Sequence, residues 1–154
     1  MFEEYKRILV AVDGSKSGEA AFLKAIHAAI RNKAQLLVLN VIDTLYFANL
    51  TALDGGEMVN QFRETAEKLL LGYEKQAKEL GVEQVETLVD YGPPKATIVE
   101  IAEEKFHADL IVVGAVGDST FSRILLGSVA SYVTLHANCD VLVERESILK
   151  GHEE

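Results

Sequence analysis

Four short apolar runs punctuate the chain, at residues 7–12, 35–41, 108–113 and 141–143. Each is dominated by Val, Ile and Leu with little alternation, the pattern of a strand covered on both faces in a parallel sheet. The first run stops at Asp13-Gly14-Ser15, a turn signal. A fifth segment, residues 85–89, alternates apolar and polar positions and suits an edge strand. Between these runs the period changes. Residues 17–31 are alanine-rich, with Ser17 as the expected N-cap. Over residues 56–80, Met58, Phe62, Leu69, Tyr73 and Leu80 fall four or seven apart, which marks one helix face, and Gly81 supplies the stop. Pro94 suits the first turn of a helix running to Phe106, with Ile98, Ile101 and Ala102 on its apolar side. A shorter helix follows over residues 128–136, and residues 43–55 read as a long loop. Strand and helix alternate throughout. That order predicts an α/β fold with a five-stranded parallel sheet and helices on both faces.

Composition narrows the setting. The chain has 154 residues, which predicts one domain over residues 1–154. Its two prolines are adjacent, Pro93 and Pro94, and no stretch has linker composition. The formal net charge of −9 argues against nucleic acid and against anionic membrane surfaces as partners. A phosphate ligand would have to be met by backbone N–H groups and a bound cation rather than by a basic patch. The single cysteine, Cys139, cannot form an internal disulfide, so a reducing, cytoplasmic setting is expected. The first residues lack a signal-peptide pattern, and no apolar run approaches the roughly 18 residues of a membrane span. The four histidines are scattered without ligand spacing, and Cys139 reads as a core residue.

Candidate chemistry concentrates after the fourth strand. Gly114-Ala115-Val116-Gly117 is followed by nine residues, then Gly127-Ser128, then a helix. Glycines three apart let backbone turn sharply and approach a ligand. A Gly-Ser pair opening a helix offers free N–H groups and the positive end of the helix dipole to an anion. The Ser128 hydroxyl can donate to phosphate or serve simply as a cap, and a plain strand-to-helix loop fits the spacing as well. The segment is not a Walker A loop: Leu126 precedes Gly127, and Arg123 is the only cation within it. Nor does the first turn carry a dinucleotide fingerprint. Asp13 ends the first strand, where open α/β sheets bind ligands. Its carboxylate can accept from a sugar hydroxyl or an adenine amino group, or hold Mg²⁺ through water. It can equally be an ordinary turn aspartate. Val41 ends the second strand and can offer backbone groups to a base.

These segments together resemble the universal stress protein family over nearly the whole chain. The opening residues 7–15, Leu39-Asn40-Val41 and residues 109–114 resemble its first, second and fourth strands, with histidine commoner than Asn40 at that position. Gly114-x2-Gly117-x9-Gly127-Ser128 matches the motif G-2x-G-9x-G-S/T of its ATP-binding branch. The resemblance implies a Rossmann-like sheet of order 3-2-1-4-5. It implies ATP, with adenosine near the first and second strands and the phosphates on the glycine loop. The cation expected beside the phosphates is Mg²⁺, held through them without direct protein ligation, with Asp13 as a candidate to help through water. Ala11, Val12, Asp13 and Val41 would meet adenosine, and Gly114, Gly117, Gly127, Ser128 and Val129 would meet ribose and phosphates. Val116 and Arg123 belong to the same loop. Val116 stands where the family usually has Arg or His, and Asp140 where it usually has proline. A homodimer is also implied, its last strands paired antiparallel around Val141, Leu142 and Val143. The expected function is an ATP-binding regulatory protein of the stress response. A slow ATP hydrolase and a nucleotide-independent dimeric interaction module are the alternatives.

Overall fold

The computed structural model describes residues 4–116 and 126–145. In chain order the elements are β1 (Arg7–Ala11), α1 (Lys16–Asn32), β2 (Gln35–Ile42), α2 (Thr44–Asp54), α3 (Glu57–Leu80) and β3 (Val85–Tyr91). They continue with α4 (Pro94–Glu100), a π-helical turn (Ile101–Phe106), β4 (Leu110–Gly114), α5 (Ser128–His136) and β5 (Asp140–Glu144). The five strands form one sheet of order β3-β2-β1-β4-β5, parallel at every junction. The fold is therefore the expected α/β one. The chain winds outward from β1 to β3 and then crosses back to place β4 on the other side of β1. The strand order reverses between β1 and β4.

Period-2 alternation divides the core into two layers. Ile8, Val10 and Val12 point to the side of α1 and α3 and pack with Phe22, Ile26, Leu70 and Ala77. Leu9, Ile111 and Val113 point to the opposite side and pack with Ile98, Ile101, Phe106 and Val133. Both faces are covered, which is why the strands of the sheet's centre read as continuous apolar runs. The alternating strand, β3, lies at one sheet edge as predicted, and β5 lies at the other.

Four local expectations change. The N-cap of α1 is Ser15, whose Oγ accepts from the Gly18 N–H at 3.0 Å. Ser17 is instead buried inside the first turn, against β4. Residues 44–54, expected as loop, form α2. In α3 the buried stripe is Ala66, Leu70, Tyr73 and Ala77. Of the predicted face, Tyr73 is buried and Leu69 packs partly buried, but Met58, Phe62 and Leu80 are exposed, because the face turned to the sheet is centred on the Ala66–Leu70–Ala77 side of the helix. The helix from Pro94 does reach Phe106, but its last six residues widen into the π-turn. His107 then ends it in a left-handed conformation, φ 56°. That ending presents the Phe106 carbonyl to Arg7 Nε at 2.5 Å, with the guanidinium 4.2 Å above the Phe106 ring. No helix among the described residues is long and apolar enough to cross a membrane.

Candidate functional site

The carboxyl ends of β1, β2 and β4 converge where the strand order reverses, the usual ligand crevice of an open α/β sheet. The turn after β1 is built around Asp13. Its Oδ1 accepts from the Ser15 N–H at 2.9 Å and from Ser15 Oγ at 2.5 Å. Ser15 in turn caps α1. Two glycines then let the first turn of α1 lie down on the strand ends. A side chain at Gly18 would come within 2.9 Å of Asp13 Oδ1, and one at Gly114 would strike Ser17, including its backbone carbon and oxygen at 2.8 Å. Gly114 is thus required by the packing of α1 against β4, a reason separate from any approach to a ligand.

The end of β2 is open for a different reason. Gln35 N donates to Lys6 O and Val12 N to Leu39 O, so the odd-numbered peptide groups of β2 face β1. Leu36 N donates to Gln84 O and Ile42 O accepts from Gly92 N, so the even ones face β3. Val41 therefore directs its N–H and C=O toward the β1 side, beyond the last paired position, Ala11 opposite Leu39. Among the described residues neither group has a backbone partner. The Val12 carbonyl, which the next ladder step would join to Val41, instead accepts from Asn40 Nδ2 at 2.8 Å.

The third wall follows β4. The Ala115 N–H donates to Glu144 O and Gly127 N–H donates to Ala115 O, so the chain rejoins the end of β4 just before α5 begins. Gly127 is the N-cap of α5 and makes no side-chain cap, and Ser128 is its first helical residue. The amides of Ser128, Val129 and Ala130 consequently lack intrahelical acceptors and lie at the positive end of the helix dipole.

These three walls enclose a cavity of about 290 Å³. Nine residues singled out in the sequence line it: Ala11, Val12, Asp13, Val41, Gly114, Val116, Gly127, Ser128 and Val129. Gly117 and Arg123 lie outside the described residues. Gly18, Leu39, Pro94, Ile98, Val113 and Ala130 also line it and were not foreseen. Leu39, Val113 and Ala130 were legible in principle as neighbours of chosen residues. Pro94 and Ile98 were not, because α4 reaches the cavity only by crossing the sheet face. The lining is mainly apolar with a few polar groups at the rim, the usual character of a small-molecule site. Asp13 is the one ionisable residue among the described lining residues.

Cys139 plays no part in this cavity. It is half-buried against the β4–β5 side of the core. Burial, reinforced by the negative charges of Asp140, Asp109 and Glu103, pushes its thiol up to about 11. Such a thiol is a poor nucleophile at neutral pH.

Residues 4–145 match the model of the universal stress protein family. The chain belongs to the universal stress protein family. A universal stress protein of Staphylococcus haemolyticus is 40% identical over 141 residues, covering 92% of this chain and 85% of that one. Among solved structures, the protein MJ0577 superposes with a TM-score of 0.81 at 29% identity, covering 92% of this chain and 96% of its own. A universal stress protein solved in complex with cAMP superposes with a TM-score of 0.70 at 30% identity, covering 94% of this chain and all (100%) of its own. One from Archaeoglobus fulgidus, in complex with dAMP, superposes at 0.64 with 25% identity and covers 93% and 100%. The family fold and its sheet order of β3-β2-β1-β4-β5 are those found here.

Proposed function

We propose that this chain binds an adenine nucleotide, ATP with Mg²⁺, at the carboxyl ends of β1, β2 and β4 and acts as a regulatory protein of the stress response. The observation that carries the proposal is the cavity at the strand-order reversal, with an open peptide edge at one end and an uncapped helix N-terminus at the other. In this reading the Val41 N–H donates to adenine N1 and the Val41 C=O accepts from the 6-amino group. Ala11, Leu39 and Val41 supply apolar contact to the base, and Asp13 accepts from ribose. The amides of Ser128 and Val129 meet phosphate, with Gly114 and Gly127 leaving room for it. Gly117, Val116 and Arg123 complete the loop of the ATP-binding motif in the same proposal. Two relatives of similar fold were solved with adenine nucleotides, cAMP and dAMP, which supports the base half of the reading.

The donor set bears on how Mg²⁺ would be held. Among the described residues no group of three His, Cys, Asp or Glu side chains could hold a metal ion. Asp13 offers one carboxylate whose Oδ1 is already engaged by Ser15. These residues fit a cation that arrives bound to phosphates, not a site formed by protein alone. Mg²⁺ would then offset the charge of the triphosphate in a chain of net charge −9. We also propose that the half-buried residues Val141, Leu142 and Val143 on the edge strand β5 pair with a second copy of the chain. Such pairing would cover an otherwise open apolar edge.

Calorimetric titration with ATP and Mg²⁺ tests the nucleotide proposal. Saturable binding is expected, weakened at least about tenfold by Gly127→Val, which crowds the amides opening α5. Absence of binding at millimolar ATP would refute it.

A further inference from the structure

We propose that Asn40 is a positioning residue for base selectivity, holding the Val12 carbonyl so that Val41 keeps its peptide edge open to adenine. The inference rests on the adenine-nucleotide reading above and concerns a residue that does not itself line the cavity. Leu39 and Val41 point into the cavity layer, so Asn40, between them, points to the other face of the sheet. Its side chain nevertheless reaches the end of β1, where Nδ2 donates to Val12 O at 2.8 Å.

That bond decides where the β1–β2 ladder stops. Val12 N already donates to Leu39 O, so the next step of a parallel ladder would take the Val41 N–H to Val12 O. A part-buried carbonyl seeks a donor, and Asn40 supplies one from the side chain. With that acceptor occupied, Val41 N–H remains available. Remove the amide, and the nearest remaining donor of the right register is Val41 itself. The ladder would then extend by one step and close half of the recognition edge.

The chemistry of the purines makes the consequence specific. Adenine presents an acceptor at N1 and a donor at the 6-amino group, complementary to a peptide N–H and C=O. Guanine in the same pose presents a donor at N1–H and an acceptor at O6, the reverse pattern. A site with an open, fixed peptide edge therefore rejects guanine through mispaired polar groups, which discriminate more sharply than shape. Once Val41 N–H is tied to Val12, adenine loses one bond and guanine escapes one repulsion. Selectivity should fall further than stability does.

The test uses the full chain and three proteins: wild type, Asn40→Ala and Asn40→His. ATP and GTP are titrated separately with Mg²⁺, and amide hydrogen exchange of Val41 is followed in the ligand-free chain. Asn40→Ala should weaken ATP by about tenfold, the equivalent of one directed hydrogen bond, and bring the ATP-over-GTP ratio down with it. Its Val41 amide should become more protected than in wild type. Asn40→His retains an N–H donor at the same distance from the backbone and should keep both the ratio and the exposed Val41 amide. An unchanged ATP-over-GTP ratio in Asn40→Ala would overturn the inference. So would a wild-type Val41 amide that exchanges as slowly as that of Val38, a result that needs no variant to fold. If wild type binds no ATP, the proposed function fails on its own, and the Val41 exchange measurement still decides the role of Asn40.

Discussion

Gly114→Ala is the most informative single change for the packing of α1 against β4 beneath the cavity. Gly114 closes β4, and its missing side chain faces the first turn of α1, as do Leu110 and Val112 on the same face of the strand. A Cβ there would meet three atoms of Ser17: Oγ, and the backbone carbon and oxygen at 2.8 Å each. Real Cβ contacts do not occur so close, so either α1 or β4 must move. The hydroxyl can rotate, but the backbone pair can move only with the helix. Ser17 is 1% exposed, which leaves no solvent side into which the strain can relax. Overpacking of this kind costs about 1–3 kcal/mol. For a chain of this size each kcal/mol is worth roughly 2–4 °C in Tm, so a fall of about 4–8 °C is expected at the middle of that range. The assays are thermal denaturation for Tm and urea denaturation for the free energy, both followed by circular dichroism, with Gly114→Ala compared alone and combined with Ser17→Ala. The second substitution removes only Oγ, so it should recover less than half of the loss. A change below about 0.5 kcal/mol would refute the steric argument, because surface substitutions alone reach that size. Full recovery by Ser17→Ala would show that the hydroxyl, not the backbone, sets the limit.

Two further outcomes follow from the same geometry and from Cys139. Gly72 lies inside α3 with nothing within 4 Å of a would-be Cβ, so Gly72→Ala should stabilise by about 0.5–1 kcal/mol, read as a higher urea midpoint. Cys139, with its thiol raised to about 11 mainly by burial, should react with iodoacetamide far more slowly than a free thiol at pH 8. Its rate should climb as pH rises toward 11, and a rate that levels off by pH 9 would contradict the shift.

Much of the site was legible residue by residue. Asp13 marks the end of a buried strand by breaking an apolar run with a turn. Gly127-Ser128 marks a helix start, and the structure puts both on one cavity. The misreadings share a physical cause. Ser15 and Ser17 are equally good caps in sequence, and only the path of the chain after Asp13 decides that Ser15 takes the N-terminal amide of Gly18 while Ser17 turns inward. The sequence of residues 44–54 shows no single apolar stripe at helical spacing, so nothing in the pattern separates it from loop. In α3 the predicted face was right at Tyr73 and partly at Leu69, but Met58, Phe62 and Leu80 are exposed, and Ala66, Leu70 and Ala77 complete the contact with the sheet.

The sequence by itself determined the elements and their class, because burial on both faces writes continuous apolar runs and alternation writes an edge. Through its family likeness it also carried the sheet order. What only the tertiary structure decided is how the strand ends meet. The contact of Gly114 with Ser17 joins residues 97 positions apart, and the reach of Asn40 to Val12 joins residues 28 apart. Neither pair shares a local pattern, since each depends on the packing of whole elements against the sheet. The open edge of Val41 is likewise a property of where β1 stops relative to β2. Periodicity sets which way a side chain points, but the packing of neighbouring elements sets which peptide groups are left for a ligand.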